Sequence, residues 1–177
     1  SGNPRDLENC PVNFAMYIKP SYPIAKSPLV RLYLDKHTNR VNDDYYGQEY
    51  KNMAWIDLTL SQRNTPAGFD TTLLIDVDGH VTEGPGFNVG IVKDGSIYTA
   101  DKNVLKGITM SVVEDIANEN NIAFKRMPIT QSMFNSADEV FITSSSGGVT
   151  PTTVVGNITN LLVSKYKDKK VEYGTLL

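Results

Sequence analysis

The chain has very little sulfur and imidazole chemistry to offer: one cysteine, Cys10, and two histidines, His37 and His80, in 177 residues. A single thiol excludes an internal disulfide framework and a zinc site built on cysteines. Two imidazoles are too few for a histidine-rich metal centre. Nor is there a surplus of positive charge. Lys and Arg number 17 against 20 Asp and Glu, a net charge of −3, so no basic face for nucleic acid is expected. The one basic cluster, Lys165-Tyr166-Lys167-Asp168-Lys169-Lys170, reads as a solvated helix end. No run approaches the ~20 apolar residues of a membrane span, and Ser1-Gly2-Asn3-Pro4-Arg5-Asp6 has no signal-peptide core. The expectation is a cytoplasmic protein that binds neither membrane nor nucleic acid. Asn157-Ile158-Thr159 fits a glycosylation sequon, read here as chance.

What is present suffices for a packed domain, with 40% hydrophobic residues. Pro4, Pro11, Pro20, Pro23 and Pro28 argue against helix in residues 1–30. Residues 13–18 and 30–34 read as strands, and polar residues 36–49 as a connection. Met53, Ile56 and Leu60 recur at helical spacing from Asn52 to Asn64, which puts Lys51 at the mouth of a helix. Asp78-Gly79 and Asp94-Gly95 are hairpin turn signals that make residues 71–99 an antiparallel meander. A helix follows Gly107 and ends at Asn120-Asn121, a strand covers 139–143, and a last helix runs from about Asn157 to Lys167.

Four short blocks carry the chemistry. Lys51-Asn52, with Trp55 and Asp57 behind it, offers an amine. Glu83-Gly84-Pro85-Gly86-Phe87-Asn88 offers a carboxylate where a strand breaks. Leu105-Lys106-Gly107-Ile108-Thr109 offers a helix start, and Ser144-Ser145-Ser146-Gly147-Gly148 a hydroxyl-rich loop. Singly, each has an ordinary reading as a surface lysine, a turn carboxylate, a helix cap or a flexible loop. Together they are the parts needed to hold pyridoxal 5′-phosphate (PLP). An amine forms a Schiff base with the aldehyde. A carboxylate favours a protonated ring nitrogen, and a helix N-terminus with nearby hydroxyls takes a phosphate. Competing motifs fail. Asp76-Val77-Asp78-Gly79 begins like a calcium loop, but Phe87 stands where the bidentate acid belongs. Gly84-x-Gly86 opens no helix and lacks a third glycine. No Gly-Lys-Ser/Thr phosphate loop occurs.

The set resembles the fold-type IV PLP enzymes: branched-chain aminotransferases, D-amino-acid transaminases, (R)-selective amine transaminases and aminodeoxychorismate lyases. Phe87 and Gly147-Gly148 are most similar to the (R)-amine branch. The family commonly has Arg after the Thr109 position, where this chain has Met110. The resemblance implies an α+β fold, mainly antiparallel sheet or open barrel with flanking helices. It implies Lys51 as the catalytic Schiff-base lysine, Glu83 as the acid partner of the ring nitrogen within the pattern that includes Gly86 and Asn88, and Leu105 on the ring face. Gly107, Ile108 and Thr109 would take the phosphate, with Ser145 in the phosphate hydroxyl position flanked by Ser144 and Ser146. It further implies a homodimer acting on an amine or amino acid and a keto acid. Only the back part of a family member is covered. Residues 1–30 read as the tail of an N-terminal domain or a linker with a strand, and 31–177 as the PLP-binding C-terminal domain. The usual N-terminal α/β domain has no counterpart, so a truncated chain is expected. The readings are a transaminase, a PLP lyase of the aminodeoxychorismate type, or a non-catalytic fragment.

Overall fold

The computed structural model describes residues 16, 24, 28–41, 51 and 54–173. The strand expected over 13–18 lies outside them but for residue 16, as does most of the connection assigned to 36–49. In chain order the elements are β1 (Leu32–Asn39), α1 (Ile56–Arg63), β2 (Thr71–Ile75), β3 (His80–Val81), β4 (Glu83–Gly84), β5 (Phe87–Lys93) and β6 (Ser96–Thr99). They continue with α2 (Ile108–Glu119), β7 (Phe124–Arg126), β8 (Ile129–Thr130), α3 (Gln131–Asn135), β9 (Glu139–Ser144), β10 (Gly148–Pro151) and α4 (Asn157–Tyr173).

Among the described residues the fold is α+β, with two sheets. A four-stranded sheet has the order β1-β2-β3-β8, and a six-stranded one has β10-β9-β5-β6-β7 with β4 paired to β5. Neither closes into a barrel among the described residues. Most pairings are antiparallel, but β1–β2 and β6–β7 are parallel. One core joins the sheets through Leu73, Val81, Val89, Ile91 and Ile142. A second lies between the large sheet and helices α2 and α4, built on Phe141, Ile97, Met110, Val113 and Leu162. Alternation along the strands divides them: Val140 and Ile142 face the first core and Phe141 the second. Gly90 is opposite Phe141, and any Cβ there would lie 2.3 Å from the ring.

Turn chemistry lands where the sequence put it. Asp94 and Gly95 take φ of 48° and 74° between β5 and β6, a tight turn that needs two left-handed residues. Asn121, at φ 56°, stops α2. Two expectations change. The meander is split, because the chain leaves the small sheet after Val81 and enters the large one at Glu83; Thr82 pins the crossing by donating from N and Oγ1 to Leu74 O, each 2.9 Å. Helix α1 starts at Ile56, and its apolar stripe faces outward: Ile56 and Leu60 are exposed while Asp57, Leu58 and Ser61 are buried. The Ser61 hydroxyl donates to Asp35 Oδ2 at 2.6 Å and lies 2.7 Å from Thr72 Oγ1, so polar contacts moor this helix to β1 and β2. The basic cluster lies in the C-terminal part of α4, where Lys165, Lys167, Asp168 and Lys170 are exposed as expected and Lys169 reaches Glu119 at 2.7 Å.

The parallel β1–β2 pair is strapped at its start by Arg31 and Asp70. The guanidinium donates to both carboxylate oxygens at 3.0 and 2.8 Å, and the Arg31 amide adds a third bond at 2.8 Å. Those side-chain bonds, then the amide, hold the Asp70 carboxyl down to about 2. A carboxyl depressed in the folded state stabilises above the ordinary aspartate range, and that contribution is lost as pH falls toward the folded value. Asp70→Asn is therefore expected to lower the urea midpoint at pH 7, with the gap to wild type closing as pH approaches about 2. A gap independent of pH would sink this account.

Candidate functional site

At the sheet crossing the chain builds a cavity of about 220 Å³. Lys51, Glu83, Gly86, Asn88, Leu105, Gly107, Ile108, Thr109, Ser144, Ser145 and Ser146, each singled out from the sequence, all line it. Arg40, Trp55, Leu58, Gly84, Phe87 and Thr143 complete the lining.

Glu83 opens β4, and the Pro85-Gly86 turn, with Gly86 at φ 84°, folds β4 back so that Glu83 pairs with Asn88. Its carboxylate is 5% exposed, and burial raises its pKa against the opposing pull of Arg40 and the Leu105 amide. Both oxygens are engaged. Oε1 accepts from Arg40 Nε and Nη2, each at 3.0 Å, and Oε2 from the Leu105 amide at 3.0 Å and Asn88 Nδ2 at 3.3 Å. Arg40 follows β1 and donates through Nη1 to Asp57 Oδ2 as well. One cation is thus buried between two carboxylates. Arg40 lay in the stretch read as a polar connection. Its 43-residue separation from Glu83 leaves no local pattern, and no sequence signal marked it.

Asn88 Nδ2 also donates to Leu105 O at 2.7 Å, which orders the approach to α2. Gly107 caps that helix in an extended conformation and supplies no side-chain bond to its amides. The first-turn N–H groups, which lack intrahelical partners, thus border the cavity. Thr109 is buried within the helix and is not its cap. Gly107 is forced by packing: a Cβ there would lie 2.0 Å from Asn88 Oδ1. Gly107→Ala is expected to cost about 1–3 kcal/mol in denaturant unfolding through this overpacking. An unchanged midpoint would mean that the Asn88 side chain is free to turn away.

Across the cavity, the serine-rich stretch is a turn between β9 and β10. Ser144 Oγ accepts from the Gly147 amide at 2.9 Å, while Ser145 and Ser146 are exposed. Lys51 is exposed at the rim. The arrangement places an amine, a buried carboxylate backed by a guanidinium, a helix start without a side-chain cap, and several hydroxyls around one small space. That donor set fits a compact ligand with a basic ring nitrogen and an anionic group.

A fold of two sheets with these four blocks around one cavity is the arrangement expected of the fold-type IV aminotransferase family. The chain belongs to that family: the model of amino-transferase class IV matches residues 1–155. It is 32% identical over 148 residues to a putative branched-chain-amino-acid aminotransferase of Methanocaldococcus jannaschii, an alignment covering 76% of this chain and 51% of the relative. It is 41% identical over 80 residues to a D-alanine aminotransferase of Listeria monocytogenes serotype 1/2a, covering 44% of this chain and 28% of that one. Its fold matches a branched-chain aminotransferase of the thermophilic archaeon Thermoproteus uzoniensis, with a TM-score of 0.77 at 25% identity over 84% of this chain and 54% of that chain. A second branched-chain amino acid aminotransferase, complexed with N-(5′-phosphopyridoxyl)-L-glutamate, matches with a TM-score of 0.74 at 27% identity over 80% of this chain and 51% of that chain. The chain spans about half the length of these relatives or less.

Proposed function

We propose that the polypeptide containing this chain is a PLP-dependent transaminase that moves an amino group between an amine or amino acid and a keto acid, with Lys51 as its catalytic amine. The observation that carries this reading is Glu83: a buried carboxylate clamped by Arg40, on the same small cavity as the Lys51 amine and the start of α2. The names of the relatives and the phosphopyridoxyl adduct named for one of the matching enzymes support it.

When bound, PLP supplies an aldehyde that condenses with amines and a ring that accepts the electron pair released at the substrate carbon. Lys51 Nζ would hold the aldehyde carbon and, once freed by an incoming amine, would be the base that carries the proton at the substrate carbon. Glu83 would favour a proton on the ring nitrogen by offering the opposite charge. Arg40, the Leu105 amide and Asn88 fix where that carboxylate points. The first turn of α2, with Thr109 and the serines 144–146, would take the phosphate, and Leu105 would pack on the ring. A homodimer and a cytoplasmic address belong to the same reading and rest on the family resemblance.

The test is an absorption spectrum of the purified longest polypeptide with added PLP, then borohydride reduction and peptide mapping. A visible band and a label on Lys51 are expected. No band, or a label fixed on another lysine, would overturn the assignment.

A further inference from the structure

Thr143, near the end of β9, was not among the residues singled out from the sequence. It pairs directly with Asn88 of β5, so the two side chains share a face of the large sheet. By alternation that face is the one carrying Phe141, on the α2 side. Thr143 is 1% exposed and lines the cavity, yet its hydroxyl has no hydrogen-bond partner.

Other buried threonines in these sheets show how such a hydroxyl is ordinarily satisfied. Thr82 donates to Leu74 O at 2.9 Å, Thr99 to Val89 O at 2.8 Å and Thr152 to Val140 O at 2.8 Å. Thr143 makes no such bond. Leaving a buried hydroxyl unmatched is costly, and a valine would fill the same volume without that cost. An orphan on the wall of a ligand cavity has a natural acceptor in the ligand.

Which part of the ligand follows from the neighbours. The nearby carboxylate, Glu83, already has both oxygens engaged by Arg40, Leu105 and Asn88. Thr143 leads directly into Ser144 and shares its face with the helix whose first-turn amides border the cavity, so the group that belongs there is an anion. We infer that the Thr143 hydroxyl donates a hydrogen bond to a phosphate oxygen of the bound ligand, as a phosphate-positioning group additional to the α2 start and the serine turn. The inference rests on the reading of this cavity as a PLP site.

The test compares wild type, Thr143→Val, Thr143→Ser and, as a control, Thr159→Val. Among the described residues Thr159 is the other buried threonine with an orphan hydroxyl, and it lies on α4 outside the cavity lining. Three titrants are used: PLP, pyridoxal without the phosphate, and inorganic phosphate followed by its protection against thermal unfolding. Thr143→Val should weaken PLP binding about tenfold or more, the loss of one bond to a charged group, and blunt phosphate protection while leaving pyridoxal unaffected. Thr143→Ser should restore the wild-type values, and Thr159→Val should bind all three normally. Without ligand, both valine variants should melt a few degrees higher, since each removes an unmatched buried hydroxyl. PLP affinity unchanged in Thr143→Val, or equal losses for PLP and pyridoxal, would overturn the inference. Should wild type fail to bind PLP, the cofactor reading falls; phosphate protection then decides the hydroxyl by itself, with equal protection of wild type and valine variant, or none of either, counting against it.

Discussion

Transamination by the full polypeptide is expected to disappear when Lys51 is replaced by alanine, a loss of at least about 10²–10⁴-fold, the contribution expected of a positioned proton-transfer group. The cofactor itself should still bind, because Glu83, the start of α2 and the serine turn are untouched. Borohydride would then no longer fix it to the chain. Adding a small primary amine to the buffer should return part of the rate by replacing the missing base. Undiminished transamination in Lys51→Ala would refute the lysine's role. The exposure of Lys51 at the rim suits a group that must be reached by an incoming amine and released from the aldehyde in each cycle.

The second large effect is on stability. Arg40→Leu leaves Glu83 and Asp57 as buried carboxylates with no cation between them. Breaking a buried pair from one side costs about 3–5 kcal/mol, because the stranded charge cannot be solvated. The loss should depend on pH with a definite sign. Burial already raises Glu83 in the folded protein, with Arg40 the chief opposing influence and Asp57 adding to the rise. A carboxyl raised on folding favours the folded state below its unfolded pKa, and this is lost as pH rises through the folded value. Arg40→Leu should enlarge that term, so the variant should lose most at neutral pH and recover toward the ordinary carboxylate range. Urea unfolding at pH 7 and pH 5 measures it. A variant as stable as wild type at pH 7 would show that the triad is not closed in solution.

The sequence announced the parts of the site that depend on local backbone. Asp94-Gly95 and Gly86 demand turns, Asn121 stops a helix, and Gly107 starts one; each was readable because the constraint lies within a few residues. Eleven of the residues lining the cavity were legible because each block is short and contiguous and the set resembles a known family. Arg40 was not, because its two carboxylate partners lie 17 and 43 residues away and only the fold unites them. The outward stripe of Ile56 and Leu60 misled in the opposite sense. Its spacing is helical, but the inward face is chosen by bonds from Ser61 to Asp35 and from Arg40 to Asp57 that hydropathy does not register. Strands β7 and β8 and helix α3 are too short for periodicity to mark.

Arg40 and Glu83 also belong to different halves of the architecture. The Arg40 amide is moored to the small sheet through Ile75 O at 2.7 Å, while Glu83 is registered on the large sheet against Asn88. Their ion pair is a rivet through two plates, and any sliding of one sheet over the other would shear it. The position of the Glu83 carboxylate is thus set by the alignment of both sheets, and a ligand that pressed on it would be expected to stiffen both plates. Slowed amide exchange in β1 and β2, far from the serine turn, is the mark such a rivet would leave when the cavity fills.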